Sequence, residues 1–224
     1  MKILLLSTVL LALSGCGGDN NDSEPAELFR YRVDLTNLTN AQPLSPPAAI
    51  LQTMMFKAWS VGISASDELE KLAESGDAAD LLDSQSGTAK HASTDVLVPG
   101  GSAGFEIVGD EAKKYLTIAA MLVNTNDAFT GITAVDLTAL SKGESHVYLT
   151  SAYNAGTEFD DESAAHVPGP AAGGEGFNAE RDDVTNVVTR HGGVVGQDDG
   201  NLGSVLTEAH RFDNPVMRVT VTRL

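Results

Sequence analysis

Side chains that carry oxygen follow two apolar segments of this 224-residue chain. Residues 124–127 (NTND) end one segment, and residues 153–158 (YNAGTE) follow another. A hard cation such as Ca²⁺ takes about six to eight oxygen ligands from carboxylates, carbonyls and water. If the two loops meet, Asp127, Asn154 and Glu158 could supply part of that shell. The alternative is an ordinary solvated surface, where most acids of a strongly acidic chain lie.

Two patterns that are typical of catalytic sites lack the sequence context that catalysis needs. Residues 100–104 (GGSAG) match the G-x-S-x-G nucleophile pattern, which requires a strand before the serine and a helix after it. Phe105 and Ile107 instead continue as another strand, so the glycines indicate a hairpin turn. The five histidines are widely spaced and form no His-x-x-x-His pair, so zinc catalysis has no support.

The segments that position these loops are mostly predicted strands. Residues 29–35 alternate apolar and polar side chains, which is typical of a strand with one buried face. Short apolar or alternating segments predict further strands at residues 48–55, 95–98, 104–108, 116–123, 147–149 and 216–222. The spacing of these segments favours an all-β fold, an antiparallel β-sandwich with a short helical insertion.

The helical insertion and the longest loop have clear signals. Ser66 is a capping residue followed by acids and helically spaced leucines, which predicts a helix that ends at Gly76. Asp77 can cap a second short helical turn that reaches Leu82. Residues 159–183 are rich in acids, glycine and proline and have no periodicity, which predicts a long surface loop.

The amino terminus has the features of a lipoprotein signal. In residues 1–15, Lys2 precedes an apolar run that is shorter than the roughly 20 residues of a transmembrane helix. Residues 13–16 (LSGC) resemble the bacterial lipobox, which predicts that Cys16 is acylated and begins the mature chain. An ordinary secretory signal with a stray thiol is the alternative. Residues 16–27 are small and polar, so we expect a flexible tether before a domain at 28–224.

The composition excludes several classes of protein. Lys and Arg number 14 against 31 Asp and Glu, a formal net charge of −17, which argues against a nucleic-acid partner. Cys16 is the only cysteine, so a disulfide framework and a cysteine zinc cluster are excluded. With 42% hydrophobic and 20% charged residues, the chain can form a packed core.

Several motifs, in order, resemble the spondin domain. The likeness spans about residues 29–224, nearly the whole mature chain. The motifs are the stretches YRVDLTNLTNAQPLSPP at 31–47, PGGS at 99–102, LTIAAMLVNTNDAFTG at 116–131, YNAGTE at 153–158 and NPVMRVTV at 214–221. The resemblance implies an antiparallel β-sandwich like the amino-terminal domain of F-spondin and mindin, with one calcium ion near its loops. Because those animal relatives are matrix adhesion proteins, it also implies binding without turnover.

The resemblance also implies roles for three residues. Asp127 matches the family aspartate that acts as a carboxylate ligand, and Glu158 stands where the family has aspartate or glutamate. Asn154 stands where the animal domains have aspartate. An asparagine keeps an oxygen but removes a negative charge, which should weaken calcium binding. Asn124 replaces the family proline, which affects the geometry of that loop.

The expected function is a lipid-anchored binding or adhesion module of the bacterial cell envelope, with a calcium-stabilised sandwich and no catalysis. We expect it in the periplasm, at the outer membrane or at the cell surface, and we expect the lipid on Cys16 to be its only membrane contact. Its partner is an unidentified protein or glycan.

One alternative is a hydrolase of envelope polymers, which needs two carboxylates about 5 to 9.5 Å apart. The acids considered for that role are Asp160, Asp161, Asp182 and Asp183. A purely structural envelope protein is the third possibility.

Overall fold

The computed structural model describes residues 28–110, 112–181 and 185–224. The predicted signal peptide, Cys16 and the predicted tether lie outside the described residues, as do Asp182 and Asp183. Ten strands are found within the described ranges: β1 (Leu28–Asn37), β2 (Ala48–Gln52), β3 (Ala89–Ala92), β4 (Ser102–Asp110), β5 (Tyr115–Met121), β6 (Ala128–Asp136), β7 (Ser145–Thr150), β8 (Ala152–Asn154), β9 (Thr189–Arg190) and β10 (Met217–Arg223).

The strands form two antiparallel sheets, and the expected all-β sandwich is confirmed. The four-stranded sheet has the order β4-β1-β10-β7, and the six-stranded sheet has the order β3-β2-β5-β6-β8-β9. The chain crosses from the first sheet to the second at Ser151, between β7 and β8. The core lies between the sheets, because alternate side chains of each strand point inwards. On β1 these are Tyr31, Val33 and Leu35, which are at most 1% exposed.

Two short helices cover the outer face of the six-stranded sheet. Helix α1 (Asp67–Ser75) begins where the Ser66 hydroxyl accepts the Leu69 N–H, and it ends at Gly76 with a φ of 74°. Helix α2 (Ala79–Asp83) follows directly. Leu69 and Leu72 of α1 pack into a second core with Phe129 of β6. The predicted helical insertion is therefore confirmed, and it places one face of α1 against the loops of the sheet.

The predictions for several strands were wrong or incomplete. Residues 95–98 form no strand, because Val96 and Val98 are exposed and Leu97 makes only isolated bridge contacts with Leu44. The sheet edge is formed instead by β3, in the polar stretch before them. The strand predicted at 48–55 ends at Gln52. Besides β3, three more strands of the second sheet were not predicted, namely β6, β8 and β9.

The long loop agrees with the sequence, whereas the glycine-rich segment forms a turn but not the predicted hairpin, because no strand precedes it and β4 pairs with β1. Gly100 has a φ of 70° in a turn, and β4 begins at Ser102, so that serine has no helix after it. Its hydroxyl lies 3.0 Å from the hydroxyl of Thr36 on the neighbouring strand. Residues 159–181 contain no helix or strand. In the described part of the chain, no helix is long and apolar enough to cross a membrane.

Candidate metal centre

Asp127 lies in the turn between β5 and β6 and is fully buried. Thr125 shapes this turn, since its hydroxyl donates to the Leu122 carbonyl at 2.6 Å. The Asp127 carboxylate therefore faces the loop after β8, where its Oδ2 accepts the N–H groups of Thr157 and Glu158 at 2.8 and 3.2 Å. Its Oδ1 is buried and has no hydrogen-bond partner.

Gly156 gives the loop after β8 its shape. Its φ of 74° is a conformation that favours glycine, and a Cβ there would clash with the Val187 carbonyl oxygen. The Asn154 side chain supports the same turn, because its Oδ1 accepts the Gly156 N–H at 2.8 Å. The turn directs the next two N–H groups at the carboxylate of Asp127.

Glu74 of α1 reaches the same region from the outer face of the sheet. The residue is 1% exposed, and its Oε2 accepts the Asn178 N–H at 3.0 Å. Its Oε1 has no hydrogen-bond partner. Burial raises the pKa of Glu74 to about 7, in spite of favourable hydrogen bonds from Thr157 and Asn178, and the charges of Glu70 and Asp127 add to the rise.

Glu158 and Asp127 have raised pKa values as well. Burial is the main cause for Glu158, and the nearby charges of Glu74 and Asp127 bring its pKa to about 9. Burial, followed by the charge of Asp160, raises the pKa of Asp127 to about 7. The Oε2 of Glu158 is also buried without a hydrogen-bond partner. The charges of Glu74 and Asp127 both act on Glu158, which is itself only partly buried and lines a cavity.

This arrangement fits a hard cation. A buried polar atom without a partner costs free energy, and buried carboxylates are normally neutralised by protons, basic side chains or metal ions. Among the described residues, five buried side-chain oxygens lack a hydrogen-bond partner, and three of them belong to this site, namely Glu74 Oε1, Asp127 Oδ1 and Glu158 Oε2. Another is Glu70 Oε1, whose carboxylate is paired with Arg181 through its other oxygen. The three at this site are hard oxygen donors, the type that Ca²⁺ prefers. The residues present therefore fit calcium, with the rest of the shell left to carbonyls and water.

The site is not already in the geometry of a bound ion. Across residues 28–110, 112–181 and 185–224, no three His, Cys, Asp or Glu side chains have the spacing of a formed metal site. The three carboxylates would have to move closer to share an ion.

The structure places the three residues predicted from the sequence in two groups. Asp127 and Glu158 come together, as the hypothesis of meeting loops requires. Asn154 lies in the adjoining turn, where its Oδ1 is engaged by Gly156 and its Nδ2 donates to the carboxylate of Asp160. A ligand role for Asn154 remains a prediction, whereas its role in shaping the loop is visible.

Sequence reasoning missed Glu74. Its signal was its position four residues after Glu70, which puts both glutamates on one side of α1. Both are buried beside the apolar residues of the helix, Leu69 and Leu72. Glu70 is neutralised by Arg181, whose Nε donates to it at 2.8 Å. No basic side chain hydrogen-bonds to Glu74 in the described residues, which is why it behaves as part of the carboxylate cluster.

The acids of the following loop are held by hydrogen bonds. Burial tends to raise the pKa of Asp161, but hydrogen bonds from Ser163, Asn126 and His166 outweigh it and leave the pKa below its usual value. Both carboxylate oxygens of Glu162 are engaged, by the Val195 N–H and the Ser204 hydroxyl, each at 2.6 Å. These two carboxylates therefore act chiefly in holding the loop.

Asp160 differs from its two neighbours. Burial and the charge of Glu162 raise its pKa to about 6. It lines a cavity of about 200 Å³ together with Asn154, Glu158 and Phe159. Asp160 and Glu158, two carboxyl groups with raised pKa values, thus line the same cavity.

Fold and site together define an antiparallel β-sandwich with a buried carboxylate cluster where helix α1 meets two loops. No family model matches this chain, and no curated protein matches it significantly. The resemblance to the spondin domain stays a prediction from the sequence motifs.

Proposed function

We propose that this chain is a spondin-type, lipid-anchored binding or adhesion module of the bacterial cell envelope, whose sandwich is stabilised by one calcium ion. The observation that carries the calcium site is the set of three buried carboxylate oxygens without partners, on Glu74, Asp127 and Glu158. When bound, the ion supplies the positive charge that this cluster lacks. Envelope location and lipidation rest on the sequence pattern around Cys16.

The role of the ion in this proposal is structural. Glu74 belongs to the helical insertion, Asp127 to the turn before β6, and Glu158 to the loop after β8. An ion shared by the three would fasten the insertion and both loops to the six-stranded sheet. A ligand that binds only the folded state raises stability by mass action, by about 2.7 kcal/mol at one hundred times its Kd.

The test is thermal unfolding of the full-length chain with excess chelator, with millimolar Ca²⁺ and with millimolar Mg²⁺. The expected result is a rise in Tm selective for Ca²⁺, which is lost on Asp127→Ala. The matched control is Asp95→Ala, an exposed acid whose removal changes the charge equally and should leave the rise intact. An equal rise with both ions, or none, would contradict the proposed site.

Binding itself is tested on cells. Cells with and without the gene are compared for attachment to immobilised proteins and glycans in calcium and in chelator. Attachment that needs both the gene and calcium supports an adhesion module. Unchanged attachment with a leaky envelope would point instead to a structural envelope protein.

A hydrolase is the second candidate, favoured by the raised pKa values of Asp160 and Glu158 beside one cavity. At about 200 Å³, that cavity is smaller than the roughly 300 to 1,000 Å³ of most ligand sites, so binding is the better supported function. Release of soluble fragments from purified cell walls, abolished by Asp160→Asn, would favour the hydrolase.

A further inference from the structure

Residues 174–178 of the long loop lie against helix α1, next to the carboxylate cluster. The Asn178 N–H donates to Glu74 Oε2 at 3.0 Å. One residue earlier, the ring of Phe177 faces the ammonium group of Lys71, whose Nζ is 5.4 Å from the ring centroid. An ammonium group is attracted to the face of an aromatic ring. These two contacts hold this part of the loop beside Glu74.

Hydrogen bonds within the loop fix the backbone of Glu175. Its N–H donates to the Ala165 carbonyl at 2.6 Å, and the N–H of Gly174 donates to the Val167 carbonyl at 2.8 Å. The two segments approach closely at Gly174, where a Cβ would lie 2.5 Å from the Ala165 carbonyl oxygen. The backbone of Glu175 is therefore positioned from two sides, by the earlier part of the loop and by the segment that contacts α1.

Glu175 shares a cavity with one member of the carboxylate cluster. Glu175 and Glu158 both line a cavity of about 210 Å³. Burial is the main cause of the raised pKa of Glu158, and the charge of Glu175 adds to this rise, after the charges of Glu74 and Asp127. Among the described residues, Glu175 forms no ion pair with a basic side chain. Its carboxylate therefore adds a negative charge beside the cluster, without a base that would neutralise it.

Two other acids line this cavity, Asp161 and Glu180. Asp161 is already engaged, because its Oδ1 accepts the Ser163 N–H and its Oδ2 lies 2.8 Å from Nδ1 of His166. Glu180 lies beyond the segment that contacts α1. Of the acids around the cavity, Glu175 thus combines a carboxylate without a basic partner with a backbone that is held beside the cluster.

We propose that Glu175 is a fourth carboxylate ligand of the calcium ion, supplied by the long loop; this inference rests on the calcium site of the proposed function. A calcium ion takes about six to eight oxygen ligands. Glu74, Asp127 and Glu158 each offer one buried oxygen without a hydrogen-bond partner, which is about half of such a shell. A carboxylate on the cavity side supplies part of the remainder. With Glu175 as a ligand, the ion also fastens the long loop to the sandwich.

The test counts the water molecules on an ion bound to the full-length chain. Eu³⁺, a hard cation, is used in place of Ca²⁺, and its luminescence lifetimes in H₂O and D₂O give the number of bound waters. We expect Glu175→Ala to raise this number by about one or two, because water replaces the lost carboxylate oxygens. The Kd for radioactive calcium in equilibrium dialysis should rise about 10- to 100-fold. Glu180→Ala, the matched control at the same cavity, should change neither value.

The outcomes separate this ligand from the site as a whole. Glu175 is exposed, so Glu175→Ala should keep the circular dichroism spectrum of the parent and its Tm in chelator. If the parent binds calcium and Glu175→Ala has the same Kd and the same number of bound waters, the fourth ligand is overturned and the calcium site stands. An equally large effect of Glu180→Ala would also overturn it, because the loss would then reflect net charge. A parent that binds no calcium would overturn the proposed site and the fourth ligand together.

Discussion

Replacing Asp127 by asparagine should change the stability of this protein in opposite directions with and without calcium. In the folded chain without metal, burial and the charge of Asp160 raise the pKa of Asp127 from 3.8 to about 7. The fold therefore disfavours the charged carboxylate. At about 1.4 kcal/mol for each tenfold change in proton affinity, the upper limit of this cost is about 4 kcal/mol above pH 7.

Asparagine removes the charge and keeps most of the contacts. Its amide oxygen can still accept the N–H groups of Thr157 and Glu158, and its NH₂ group gives the unpartnered oxygens nearby a donor. In chelator at pH 8, we expect Asp127→Asn to gain about 2 kcal/mol, half of the upper limit because the site can relax. For a domain of this size, that is a rise in Tm of about 4 to 8 °C.

In millimolar calcium, the order should reverse. The parent gains the free energy of ion binding, whereas the variant has lost a carboxylate ligand and should gain little. The assay is thermal unfolding followed by circular dichroism at pH 8, in chelator and in calcium, with Asp95→Asn as the control for net charge. A variant that is less stable than the parent in chelator, or one that gains as much stability from calcium as the parent does, would contradict this prediction.

Four further results are expected. In chelator, the free energy of unfolding should fall as the pH rises from about 5 to about 9. The folded-state pKa values of Glu74, Asp127 and Glu158 are about 7, 7 and 9, above their ordinary values, so each carboxylate loses its proton at a cost to the folded state. Calcium should flatten this pH profile. Gly156→Ala should cost about 2 to 4 kcal/mol in urea unfolding, because of its positive φ and the close Val187 carbonyl. Arg181→Met should cost about 3 kcal/mol by leaving Glu70 buried and unpaired, and adding Glu70→Leu should restore most of it. Cys16→Ser should abolish incorporation of labelled palmitate, whereas continued labelling would rule out Cys16 as the acylated residue.

The parts of the fold that could be predicted are those where a local pattern and the tertiary environment agree. The first and last strands alternate buried and exposed residues, since each has one face in the core. Helix α1 could be placed because Ser66 and Gly76 mark its ends through short-range hydrogen bonds. Residues 95–98 misled because Val96 and Val98 are apolar but exposed, and composition does not reveal which apolar residues find a partner.

The candidate site was predictable only in part, for a related reason. Asp127 and Glu158 lie in short loops that follow apolar segments, and the ends of strands bring such loops together. Glu74 sits on a helix, and only the packing of that helix on the sheet shows that its carboxylate is buried. The position of Asn154 suggested a metal ligand, but its Oδ1 accepts a hydrogen bond from the Gly156 N–H in the turn.

The most direct test of the calcium site is equilibrium dialysis of the full-length chain, stripped with chelator, against radioactive calcium. We expect one ion bound per chain, with binding lost on Asp127→Asn, strongly weakened on Glu74→Gln and unchanged on Asp95→Asn. No bound calcium at millimolar free concentration, or full binding that survives Asp127→Asn, would contradict this expectation.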